Sequence, residues 1–293
     1  MDTNSLGGSS ISEKEYMQLR DYIYKSSGIL IPPEKVYLME TRLSKHMLDA
    51  GASTFGEFYH SLVSQPNKAM RQKIINAMTT NETLWFRDAA PWKVLENDLL
   101  PKLVDDLASG RKQQVRIWFS AVSTGQEAYS TVMCINDYLR KHRIEGVKLS
   151  DFDFFATDIS TNVLDIAARG RYDKISIMRG LSDSYRTRYF SVNGSAWDIA
   201  PEIRDAVRFA PFNLQNTYLA LGLFDIIFCR YVLIYFSESL RKEVIDKMHG
   251  ALTDGGVLFT GNYVLYDLFE EGFQAGYCEN ATYYTKKSCS LRP

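Results

Sequence analysis

From residue 115 onward the chain alternates short apolar runs rich in β-formers with helical stretches, and this alternation restricts the fold more than any other feature. The runs are VRIWFSAV (115–122), FDFFATDI (152–159), VRFAPFNL (207–214), FDIIFC (224–229) and GGVLFTG (255–261). Helical patterns lie between most of them, at 125–142, 161–169 and 237–252. Near-continuous apolar strands joined by helices have to be covered on both faces, which specifies a doubly wound, mainly parallel sheet of the α/β class. Between Gly170 and Ala206 the rhythm breaks, and YFSVNGSAWDI within it predicts a hairpin turning at Asn193-Gly194-Ser195. Residues 170–206 are therefore expected to form a small antiparallel β insertion. Residues 273–287 predict a terminal strand pair with its turn between Gly276 and Asn280.

The preceding part of the chain reads as helical. Tyr16, Leu19, Tyr22 and Ile23 share one face of a helix over 15–26, and Pro32-Pro33 breaks it. Val36, Met39, Leu43 and Met47 repeat the pattern over 35–50, with Gly51 as the stop. Shorter patterns follow at 54–64 and 67–78, and another helix at 92–108. The expected organisation is an all-α N-terminal domain over 1–85 and the α/β domain over 86–293. The length of 293 residues agrees with two domains at ~150 residues each.

Composition excludes several classes of function. Lys and Arg total 34 against 35 Asp and Glu, so a dedicated nucleic-acid partner is not expected. The longest apolar stretch, Phe224 to Phe236, carries Asp225 and Arg230 and falls short of the ~20 residues a membrane span needs, so no direct membrane insertion is expected. MDTNSLGGSSISEKE has neither a basic start nor an apolar core and reads as a frayed tail, not a signal peptide. Cys134, Cys229, Cys278 and Cys289 are scattered, with no CxxC pair. The expectation is a reduced, cytoplasmic protein without a structural metal.

Ligands of open parallel sheets bind beyond the carboxyl ends of the strands. After the first run stands Ser-Thr-Gly-Gln-Glu (123–127), where a helix N-terminus offers unpaired N–H groups. Thr124 and Glu127 also have capping-box spacing, a purely structural account. Asp158 follows the second run, placed to accept hydrogen bonds from two ribose hydroxyls or to cap the helix at 161. Its distance from Gly125 exceeds the ~20 residues of a dinucleotide site, and GxGxxG is absent, which argues against a nicotinamide cofactor. Asn213 after the third run suits either a turn or an adenine edge. Arg230 after the fourth needs an acceptor or a ligand if it is buried. In NETLWFRD (81–88), the polar Asn81, Thr83 and Arg87 flank Leu84, Trp85 and Phe86, a domain-connecting segment whose aromatics are expected to pack into the interface.

Taken in order, NETLWFRD, WFSAVSTGQEAYS, FATDIS, the Gly170-Arg-Tyr172 turn, NL at 213–214, FDIIFCRYVLIYF and GGVLFTG resemble the CheR-type chemotaxis receptor methyltransferases over nearly the whole chain. The resemblance implies a Rossmann-like fold and transfer of a methyl group from S-adenosylmethionine to glutamate side chains. The acceptor it implies is the cytoplasmic domain of methyl-accepting chemotaxis receptors. It further implies that Asn81, Thr83 and Arg87 face the cofactor, and that Glu127 meets its methionyl or ribose part. Asp158 would hold the ribose, Asn213 and Leu214 would border the adenine, and Arg230 and Tyr231 fill the two positions after the fourth strand. Arg87 and Tyr235 are the candidate orienting groups for the acceptor. Arg42 and Lys45 on the second helix would face the acidic methylation region, and the β insertion would help to dock the receptor. Its short hairpin loop predicts docking without a tethering peptide, and the chain is expected to act as a monomer.

A carboxylate nucleophile is already anionic at neutral pH, so no general base is needed; His46, His60, His142 and His249 all lie outside the motifs. The chain departs from the family pattern at Tyr231, where asparagine is usual, and at Ala121 and Gln126. Tyr231 and Gln126 motivate an alternative, a catalytically silent relative serving as a binding or scaffolding module. Retention of Asn81, Arg87, Glu127, Asp158 and Asn213 opposes it.

Overall fold

The computed structural model describes residues 10–261, 272–278 and 281–288. The tail before residue 10, the turn at 279–280 and Cys289 lie outside the described residues. The chain divides into two compact units, residues 1–80 with 235–240, and residues 81–234 with 241–293. The division falls at Thr80/Asn81, five residues before the position read from sequence, because the segment after it is hydrogen-bonded into the second unit.

The first unit holds α1 (Glu13–Ser27), α2 (Val36–Asp49), α3 (Phe55–Ser64) and α4 (Lys68–Met78). Local chemistry sets their starts. Ser12 and Glu15 form a reciprocal capping box on α1, Thr54 caps α3, and Asn67 caps α4 through the amides of Ala69 and Met70. The faces seen in the sequence meet in one core of Tyr16, Leu19, Ile23, Met39, Leu43, Met47, Phe55, Phe58, Leu62, Ile74 and Met78. Arg42 does not extend freely from α2. Its Nη1 donates to the carbonyls of Met78 (3.1 Å), Thr79 (3.3 Å) and Ala77 (3.5 Å), the orphan acceptors at the end of α4. Lys45, one turn on, is exposed.

The second unit opens with α5 (Ala90–Val94), which runs through a π-helical turn at Leu95–Leu99 into α6 (Leu100–Ala108). There follow β1 (Val115–Phe119), α7 (Gln126–Lys141), β2 (Phe152–Asp158) and α8 (Thr161–Arg169). The insertion contains β3 (Arg171–Asp173), α9 (Lys174–Met178), α10 (Asp183–Tyr189), β4 (Phe190–Asn193), β5 (Ala196–Ile199) and α11 (Pro201–Arg204). The chain then adds β6 (Val207–Pro211), β7 (Phe224–Phe228), α12 (Glu238–Ala251), β8 (Leu252–Phe259), β9 (Phe273–Cys278) and β10 (Ala281–Lys286).

The main sheet has the order β6-β2-β1-β7-β8-β10-β9, parallel from β6 to β8 and antiparallel over the last two strands. The insertion forms a separate antiparallel sheet, β3-β5-β4. Strand order reverses between β1 and β7, so the crevice beyond their carboxyl ends is the topological switch point. The register puts Phe119, Phe228 and Phe259 side by side on β1, β7 and β8, stacked at centroid spacings of 5.1 and 4.8 Å, with Trp92 over Phe228. Fully buried rings of this kind each stabilise the fold by roughly 1.5–3 kcal/mol through area burial, with the stacking adding ~0.5–1.5 kcal/mol per pair. On the other face Trp118 stacks on Phe224 and donates to Thr157 Oγ1 at 2.9 Å. This aromatic layer is the floor beneath the switch point.

Candidate functional site

Each strand run delivers a polar residue to the crevice. The β1–α7 turn is drawn onto β2 by Val122 N–H, which donates to the Thr157 carbonyl at 2.9 Å. The buried Asp158 then accepts from Ser123 N–H and Ser160 N–H, each at 2.9 Å. Neither structural role read from the sequence is observed here. Thr124 and Glu127 form no capping box, since Thr124 Oγ1 donates to Gln126 instead and α7 begins without a side-chain cap. Asp158 stands two residues before Ser160, the N-cap position of α8. Burial pushes the Asp158 carboxyl above the usual carboxylate range, against the backbone donors Ser160, Ser123 and Ile159. Gly125 has a left-handed φ of 96°, and a Cβ there would sit 3.0–3.2 Å from Ala167, Tyr129 and Tyr172. Close packing is therefore its visible constraint.

Arg230 is the hub of the site. Its side chain is 1% exposed and bridges Glu127 through Nη1 and Asp88 through Nη2, with a further bond of 2.7 Å from Nη2 to the Arg87 carbonyl. Burial pushes Glu127 up, against the opposing pull of Arg230 and Arg87. Tyr231 donates its hydroxyl to the same Asp88 oxygen that receives Arg230. The Tyr231 ring carries the Arg87 guanidinium at 3.6 Å from its centroid, and Arg87 Nη1 also donates to the Glu82 carbonyl at 3.0 Å. Burial and the bond to Asp88 both push the Tyr231 phenol up. The cluster thus sets two carboxylates on the one guanidinium of Arg230, with Arg87 stacked on Tyr231 beside them.

Backbone strain concentrates here. Among the described residues, five non-glycines have left-handed φ, and four of them are Phe86 (48°), Asp88 (60°), Ser123 (53°) and Tyr231 (59°). Each costs roughly 1–3 kcal/mol, and such outliers gather at functional sites. The 81–88 segment is held from several sides. Ser123 Oγ donates to the Asn81 carbonyl, Phe86 N–H donates to Ser130 Oγ, and Trp85 is wedged edge-on between Tyr172 and Phe190 of the insertion. Trp85 also donates N–H to Arg179 O and Nε1–H to Ser176 O, both at 3.1 Å.

Gly180 is the close-approach point, with φ 90°; a Cβ there would lie 2.1 Å from the Trp85 carbonyl oxygen. Gly180→Ala is therefore expected to cost more than about 2 kcal/mol, combining left-handed strain with steric overlap. Urea unfolding with an unchanged m-value would measure it, and a loss below half that figure would refute the wedge.

The structure thus brings Arg87, Glu127, Arg230 and Tyr231 into one bonded cluster, and places Asp158 beside Ser123 at the end of β2. Asn81 is exposed and Thr83 half-buried in the same segment. Asn213 Oδ1 accepts from Gln215 N–H at 3.0 Å in a side-chain turn, and Leu214 is buried. Tyr235 groups with the helical unit, where its carbonyl accepts Leu30 N–H at 2.8 Å. Sequence reasoning missed Asp88, Ser130 and Gly180. Asp88 stood inside a quoted motif, but no local signal marks partners more than 140 residues along the chain.

Residues 14–79 match the family described as CheR methyltransferase, all-alpha domain, and residues 81–267 match CheR methyltransferase, SAM binding domain. The chain belongs to the CheR methyltransferase family. It is 37% identical over 279 residues to the chemotaxis protein methyltransferase Cher2 of Pseudomonas putida, covering 95% of this chain and 100% of that relative. Chemotaxis protein methyltransferase 1 of Pseudomonas aeruginosa matches with the same identity and coverage. The Escherichia coli chemotaxis protein methyltransferase is 30% identical over 269 residues, covering 90% of this chain and 88% of the relative. Among solved structures, a TehB-like SAM-dependent methyltransferase from Corynebacterium glutamicum overlays at TM-score 0.34 and 13% identity, covering 79% of this chain and 94% of its own.

As a CheR methyltransferase the chain uses S-adenosylmethionine, and its residues fit that group. Ser160 Oγ and Arg230 Nε are buried without a hydrogen-bond partner. Asp158 has about four acceptor positions, which its backbone donors do not fill. A ligand rich in hydroxyl and amino groups uses such spare capacity.

Proposed function

We propose that this CheR-family enzyme methylates glutamate side chains on the cytoplasmic domains of chemoreceptors. The observation that carries this reading is the match over 95% of the chain to chemotaxis protein methyltransferases, a name that supports an acceptor in chemotaxis. Bound S-adenosylmethionine supplies a methyl group on an electrophilic sulfonium. In this reading Asp158 accepts the ribose hydroxyls, Asn213 and Leu214 border the adenine, and Glu127 receives the methionyl part. Asn81 and Thr83 line the approach, and Arg230 with Tyr231 closes the end of β7. Arg87 orients the acceptor carboxylate and does not activate it, because a cation beside the nucleophile lowers its reactivity. The rate then comes chiefly from alignment of donor and acceptor. Tyr235 is the second candidate for orienting the acceptor.

For receptor docking, Lys45 is the exposed cation of the pair read from α2, while Arg42 also clamps the end of α4. The insertion adds the exposed apolar residues Ile175, Met178 and Val192 as candidate docking groups. The cellular setting that follows is the cytoplasm; among the described residues no helix is long and apolar enough to cross a membrane.

The test is incubation with methyl-labelled S-adenosylmethionine and a receptor cytoplasmic fragment, followed by mild alkali. Label that is lost in alkali is a carboxyl ester, as this reading requires. Alkali-stable label would exclude a carboxyl ester and refute the glutamate acceptor. No label, with no calorimetric binding of S-adenosylhomocysteine, would leave the scaffolding module as the answer.

A further inference from the structure

We propose that Asp88 is a positioning residue that sets the Arg87 guanidinium by way of Tyr231, an inference that rests on the reading of Arg87 as the group orienting the acceptor. Three observations carry it. Asp88 adopts a left-handed backbone, with φ 60°, one of the strained positions gathered at this site. That carboxylate gathers two donors on one oxygen, Arg230 Nη2 and the Tyr231 hydroxyl. The Tyr231 ring, fixed at its far end by this bond, lies under Arg87 at 3.6 Å.

Tyr231 needs such an anchor. A bulky residue at φ 59° occupies a region that asparagine or glycine tolerates far better. Its ring also packs on Gly261, where a Cβ would come within 3.2–3.4 Å of the ring carbons. Asp88, the glycine and the strained backbone together leave the ring one orientation, and an arginine side chain resting on it loses most of its freedom. Without Asp88, Arg230 keeps Glu127 and the Arg87 carbonyl, so the hub survives while the phenol is released. The effect of Asp88 on chemistry is then expected to run through Arg87.

Two measurements on the full chain test this. The first is the proton shift of the Arg87 Nε–H group in arginine-labelled protein, assigned by its loss in Arg87→Lys. Ring current from Tyr231 should displace it in the wild type, Tyr231→Leu should abolish the displacement, and Asp88→Ala should reduce it. A displacement unchanged in Asp88→Ala overturns the proposal. If Asp88→Ala does not fold, Tyr231→Phe takes its place, since it keeps the ring and removes only the tether; an unchanged shift there is equally fatal.

The second measurement is a double-mutant cycle on kcat/KM for methyl transfer. Asp88→Ala is expected to lower it about tenfold with Arg87 present and less than about twofold in an Arg87→Lys background. Additive effects would mean that Asp88 acts elsewhere. An inactive wild type would instead refute the proposed function, and the arginine shift would still decide the latch.

Discussion

Replacing Arg230 by methionine should lower the free energy of unfolding by about 3–5 kcal/mol, the cost of leaving buried charge uncompensated. The guanidinium is 1% exposed and answers two carboxylates and a carbonyl at once. Methionine fills much of the same volume, so the loss reports charge more than packing. Glu127, 13% exposed, and Asp88, 29% exposed, are then left without their shared cation. The diagnostic is recovery: Arg230→Met combined with Glu127→Gln and Asp88→Asn should regain part of the loss, because neutral amides cost less to bury than carboxylates. Urea melts of the three proteins measure it. If the single variant loses under 1.5 kcal/mol, on the order of an ordinary hydrogen bond, the hub does not hold the site together.

The second large effect concerns Asp158. Asp158→Ala should weaken S-adenosylhomocysteine binding by roughly 10- to 100-fold, since hydrogen bonds to a charged group contribute ~1.5–3 kcal/mol. Calorimetry reads this directly. The wild type should also show a pH dependence whose sign is fixed by burial. The carboxyl is held above its usual range, and ligand hydroxyls donate more strongly to its ionised form, which is acceptor-only, than to its protonated one. Affinity should be level above the raised value and fall as pH drops through it, at a higher pH than an exposed aspartate would give. Stability moves the other way. The folded state takes up the proton more readily than the unfolded chain, so the share of stability tied to Asp158 grows as pH falls through that window and shrinks as it rises. Affinity and stability that declined together on acidification would assign the titration to another group.

These residues also show what a sequence can disclose. β1, β2, β6 and β7 were legible because each is an apolar run bounded by polar or glycine residues, and a parallel strand has no other way to bury both faces. β8 begins at Leu252, three residues before the run read from sequence, because Gly255 and Gly256 lie within the strand, where its register against β7 shifts. No apolar pattern marks a bulge of that kind. Asp158, Glu127 and Arg230 were legible by position alone, one after each strand. The use of Arg230 was half legible, since a buried guanidinium had to find acceptors. Asp88 was not, because its partners Arg230 and Tyr231 follow β7, far along the chain, and its left-handed backbone is imposed by the fold. Arg42 shows what periodicity leaves out. A basic residue on a helix face reads as partner-facing, and its sequence position does not reveal that its Nη1 also binds the carbonyls at the end of α4.

The antiparallel pair β9 and β10 has a consequence for the order of assembly. β10 pairs with β8 through Thr285, Tyr284 and Tyr283, closing a strand that would otherwise present a free apolar rim. On a ribosome, everything needed for the five parallel strands emerges before this cover does. The nascent sheet therefore spends the last part of its synthesis with a sticky side open, and a chain shortened before residue 273 keeps it open for good. Such a shortened protein should bind cofactor and yet aggregate, its loss of solubility coming from an uncovered edge and not from any damage to the catalytic crevice.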